Sequence, residues 1–93
     1  MNIAERSFLR LLKDQLIKYA IAQLLGEAAS GVKVFIVKTI AEYLFDRIVS
    51  PVIVWTWKES MIAIDVIAVK KAVEKYKDAL AKIDRIDAFN NLP

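Results

Sequence analysis

Histidine and cysteine are absent from the 93 residues. Without them the chain has no Ser-His-Asp or Cys-His nucleophilic site, no histidine general base and none of the usual zinc ligand sets. Disulfides are excluded too, which leaves the redox compartment open. Only two glycines and two prolines occur, so long loops and flexible linkers have little to be made from. Long apolar runs are also missing. The longest uncharged stretch, residues 48–57, has ten residues, whereas a spanning helix needs ~20. Near the N-terminus, Glu5, Arg6, Arg10, Lys13 and Asp14 interrupt any apolar core of a secretory signal. The expectation is a protein of the cytoplasm, or one peripheral to a membrane.

What the chain does have is apolar surface. Hydrophobic residues make up 57% of it, against a usual share of ~45–50%. A chain of this length buries only roughly 60–65% of its unfolded surface in one modest core. One helical domain over residues 1–93 is therefore expected, with apolar surface left over. The net charge is +3, spread evenly along the chain. The densest basic stretch, Lys70 to Arg85, is interrupted by Glu74, Asp78 and Asp84. That mixture describes a solvated helix face, not the clustered cations of a nucleic-acid binder.

Periodicity points to an all-α fold of three amphipathic helices, near residues 3–29, 35–49 and 58–89. Asn2 and Glu5 have capping-box spacing. Leu9, Leu12, Leu16, Tyr19 and Gln23 then follow in steps of three and four, and Gly26 or Gly31 is placed to end the helix. In the second segment Val37, Ile40, Ala41, Leu44 and Ile48 share one face, opposite Lys38, Thr39, Glu42 and Asp46. Residues 32–37 are β-branched enough to suit a strand. After Ser50-Pro51, residues 52–57 suit either a short helix capped by the serine or a strand with both tryptophans on one face. Strands near 32–37 and 52–57 would make the fold α+β, the alternative to all-α. Thr56 and Glu59 again have capping-box spacing and are expected to open the last helix. Along it Ile62, Val66, Val69, Val73, Tyr76, Leu80 and Ile83 form an unbroken heptad seam that runs out at Asp87.

Candidate chemistry is sparse. The pairs Glu42/Asp46, Glu74/Asp78 and Asp84/Asp87 each share a helix face, but they sit among lysines and arginines on polar faces. Gly26 and Gly31 have phosphate-loop spacing, yet Val32 stands where the motif needs lysine, and the segment follows a helix. No metal, cofactor or catalytic residue is expected.

The function expected is therefore non-enzymatic: a helical assembly protein that self-associates and docks on a protein partner or a membrane surface. The heptad seam is the candidate oligomer interface, of coiled-coil type. Trp55, Trp57 and Lys58 form the candidate partner or membrane contact, because tryptophan suits interfaces and lysine snorkels toward headgroups. The rival expectation is a membrane-active protein of pore-forming or lysis type, in which residues 31–57 insert.

Overall fold

The computed structural model describes residues 3–26, 31–60 and 65–92, apart from the side chains of residues 56–60. Its elements in chain order are α1 (Ile3–Leu25), α2 (Val32–Leu44), a π-helical turn (Phe45–Val49), α3 (Ser50–Ser60), α4 (Val66–Asp84) and the short α5 (Asp87–Asn90). No strand occurs among the described residues. The fold is an all-α bundle.

Helix α1 turns Leu16 and Ala20 fully inward, with Leu9, Leu12 and Tyr19 packed at the margin of the core. Gln23, at the end of the expected apolar series, is exposed. Gly26 follows the helix with φ of 65°, a left-handed conformation that favours glycine at a helix end. The Asn2 half of the expected capping box lies outside the described residues.

The β-branched run 32–37 is helical from Val32 onward, so it forms no strand. Intrinsic preference is weak here, and packing decides: Val37 and Ala41 are completely buried, and α1 and α2 pack on each other extensively.

Ser50-Pro51 does not break the chain. Ser50 has helical dihedrals and donates its N–H to the Phe45 carbonyl, five residues back, where an N-cap needs extended backbone. Proline inside an α-helix lacks an N–H and crowds the carbonyl four residues earlier. The π turn just before Pro51 widens the helix at that point. Residues 52–57 are accordingly part of α3, not a strand and not a newly capped helix.

The widened turn also explains an unusual spacing. Val37, Ala41, Phe45, Val49 and Ile53 are all buried to 1% exposure or less, at a constant step of four. In a regular α-helix a four-residue step drifts ~40°, or ~160° over four steps. One extra residue taken up in a π turn removes ~100° of that drift. All five positions thereby stay on the core side.

Thr56 lies within α3, so the last helix does not start there. It starts at Asp65, whose backbone is extended and whose carboxylate Oδ1 accepts N–H bonds from Ile67 at 3.0 Å and Ala68 at 3.1 Å. This is an ordinary aspartate N-cap. At its other end α4 stops at Asp84, short of residue 89. The chain turns at Arg85 and α5 folds back. There Asn90 donates its side-chain N–H to the Asp84 carbonyl at 2.9 Å, and Phe89 is buried in the core.

Candidate interaction surface

The expected oligomer seam of the last helix is turned mainly toward the chain's own core. Val69, Tyr76 and Leu80 are buried, and Val73 and Ile83 are half-buried and packed on the core cluster. Helix α4 lies against the π turn, α3, α1 and α2. The Tyr76 hydroxyl donates to the Leu16 carbonyl of α1 at 2.8 Å. Burial, and after it the neighbouring Tyr19, pushes the Tyr76 phenol up from 10.0 to about 12. A second chain reaching these residues would have to displace elements already seated on them. Among the described seam residues only Val66, at the N-terminal end, is open, with 73% of its surface exposed. Ile62 lies outside the described residues.

Of the expected tryptophan patch, Trp55 is exposed. The side chains of Trp57 and Lys58 lie outside the description. Both tryptophan positions fall in α3, so they are ~200° apart around the helix and not on a common strand face.

A different surface stands out. On α2 the side away from the core carries Val32, Phe35, Thr39 and Tyr43, flanked by Ile36 and Ile40. Val32 is 61% exposed, Phe35 71% and Tyr43 59%. Arg47 lies over the Tyr43 ring at 5.8 Å. The polar member, Thr39, donates its hydroxyl to the Phe35 carbonyl at 2.9 Å. Its own helix thus satisfies that group, and the stripe asks for no polar partner. The helical wheel read from sequence gave this side to Lys38, Thr39, Glu42 and Asp46 and missed Val32, Phe35 and Tyr43. The available signal was the sparse charge of residues 32–44, which carry only Lys33, Lys38 and Glu42. A helix apolar all round is one that gets buried on every side.

The shape of the molecule agrees with incomplete cover. The radius of gyration is 14.5 Å, whereas a compact chain of this length has about 12 Å.

The carboxylate pairs remain surface features. Glu74, Asp78, Asp84 and Asp87 are exposed, and Asp46 pairs with Lys13 at 3.3 Å. No group of three or more metal-ligating side chains is gathered among the described residues. Nor, among them, is any helix long and apolar enough to cross a membrane. In comparisons with known proteins, no family model, no curated protein and no solved structure matches this chain.

Proposed function

We propose that this protein is a non-enzymatic helical assembly module that self-associates through apolar helix surface its own fold leaves open. The observation that carries this reading is the outer stripe of α2. Two aromatic rings and a valine, each more than half exposed, stand on one helix face beside two further isoleucines. Large contiguous apolar patches of this kind mark contact sites on soluble proteins. The absence of histidine and cysteine from the chain supports the non-enzymatic half, since the imidazole that most often serves as general base and the thiol nucleophile are both missing.

Sedimentation equilibrium on purified protein from about 1 to 200 µM tests the reading, a range that spans weak specific association. The weight-average mass should rise with concentration. A mass that stays at one chain throughout would overturn it.

One observation favours a second reading, docking on a membrane surface. The exposed face of the first turns of α1 sets Ile3 and Leu11 beside Arg6 and Arg10, and apolar residues flanked by cations suit an anionic bilayer. Co-sedimentation with anionic liposomes that is lost on Arg6→Glu/Arg10→Glu substitution would support it. No retention on such liposomes would remove it.

A further inference from the structure

We propose that the outer stripe of α2 is a two-fold interface for a second copy of this chain. The two α2 helices lie antiparallel, with Lys38 of each facing Glu42 of the other. This rests on the self-association reading and adds to it the surface, the orientation and the register.

Charge selects the occupant. A cationic flank would suit an anionic bilayer, but α2 and the turn after it carry Glu42 and Asp46 as well as Lys33, Lys38 and Arg47. An interface between identical copies must be complementary to itself. Lys38 and Glu42 meet that condition. They lie one turn apart on the same flank of the stripe, and neither makes an ion pair within the described chain. In an antiparallel pair the same flank of each helix meets its equivalent running the other way. With the two-fold axis near residue 40, Lys38 meets the partner's Glu42 and Glu42 meets the partner's Lys38. The groups of α1 bordering this flank are Lys13, Asp14 and Lys18, and Lys13 is already engaged by Asp46.

The same register suits the side chains of the stripe. Thr39, the smallest of them, falls next to the axis, where two helices approach most closely. Ile36 falls beside the partner's Tyr43, within about one residue rise of 1.5 Å. Val32 falls beside the partner's Arg47, the cation that already covers the Tyr43 ring. Phe35, the most exposed ring of the stripe, falls between the partner's Tyr43 and Arg47, about two residue rises, or ~3 Å, from each.

The contact is short. From Val32 to Tyr43 the stripe runs only ~17 Å, and one helix face of that length covers much less than the ~800 Å² per partner of a standard interface. A weak dimer, with a dissociation constant in the micromolar range, is expected.

Because the chain contains no cysteine, single-cysteine variants give a clean test of orientation. In the antiparallel register the two copies of position 39 are offset by only ~3 Å along the helices, and those of position 32 by ~24 Å. A disulfide needs Cα atoms about 4.4–6.8 Å apart. Under mild oxidation Thr39→Cys should form a covalent dimer, while Val32→Cys should not. Equal cross-linking of both variants would overturn the antiparallel register.

Charge reversal tests the flank. Lys38→Glu and Glu42→Lys should each weaken dimerisation by about tenfold in sedimentation equilibrium, as expected for two ion pairs turned repulsive. An equimolar mixture of the two variants matches an all-acidic flank to an all-basic one, so dimers should return. Dimers indifferent to both reversals would refute this interface while leaving self-association standing. A wild-type chain that remains monomeric at about 200 µM would instead remove the self-association reading itself.

Discussion

The outer face of α2 and the inner face of α4 both carry apolar side chains in steps of three and four, yet their surroundings differ. On α4, Val69, Tyr76 and Leu80 are buried, and Tyr76 is tied to α1 by a hydrogen bond. On α2, Val32, Phe35 and Tyr43 stand open to solvent. The α4 stripe shares its helix with Lys70, Lys71, Glu74, Lys75, Lys77 and Asp78, which give that helix a wet side. The α2 segment has only three charges in thirteen residues, so its core contact leaves apolar surface on the other side. Periodicity thus says that a face needs cover. The charge on the opposite face says whether one cover is enough.

Substitutions with aspartate should separate the two stripes most sharply. Leu80→Asp places a charge in the core, at a cost of several kcal/mol, and should abolish cooperative unfolding followed by circular dichroism. Phe35→Asp should leave the helical spectrum and melting temperature nearly unchanged while eliminating concentration-dependent association. If Phe35→Asp also unfolds the chain, the open face is part of the core and the contrast collapses.

Alkaline pH probes the buried side alone. The Tyr76 pKa is raised in the fold, from 10.0 to about 12, so burial favours the neutral phenol. Its contribution to stability is complete below about pH 10 and is lost as pH rises through about 12. Urea melts from pH 8 upward should show this decline. Tyr76→Phe should flatten it relative to wild type, at a cost of about 1 kcal/mol at neutral pH for the lost hydrogen bond. Identical alkaline profiles for the two proteins would contradict this account of Tyr76.

Smaller effects are expected at the surface. Trp55→Ala should change stability by no more than about 0.5 kcal/mol. If it also weakens association, the contact extends from α2 onto α3. Lys13→Ala removes the ion pair to Asp46 and should cost roughly 0.5 kcal/mol, less at high salt. Chemical melts at two salt concentrations would check it.

The helices that follow a 3.6-residue period over many residues were legible in sequence. Leu16 in α1 and Val69, Tyr76 and Leu80 in α4 fall on the faces their spacing assigns to them. Three features were not. Residues 32–37 and 52–57 look strand-like because their β-branched and aromatic side chains are chosen for packing, and the packing happens to be helical. Pro51 reads as a stop because local rules do not anticipate a π turn that makes room for it. Asp65 lacks the capping-box glutamate three residues on, whereas Thr56 and Glu59, nine residues earlier and within what is in fact α3, have that spacing. Of the candidate contact residues, the α4 seam was correctly seen as apolar. What covers it was not legible, since a helix pattern does not distinguish a neighbouring helix from a neighbouring chain.

The π turn at residues 45–49 also bears on which insertions and deletions the chain tolerates. It stores one residue more than an α-helix of the same phase, so one residue is expendable there. With Arg47 deleted and Pro51→Ala, the buried set would fall in steps of four, four, three and four, the period of a plain α-helix. Such a shortened chain should fold with its core side unchanged. Helix α4 holds no spare residue. Deleting Lys75 would swing Tyr76 and Leu80 ~100° relative to Val69 and Ala72, and that chain should not fold. Melting temperatures of the two deletions, one in each helix, would show whether the widened turn holds a removable residue.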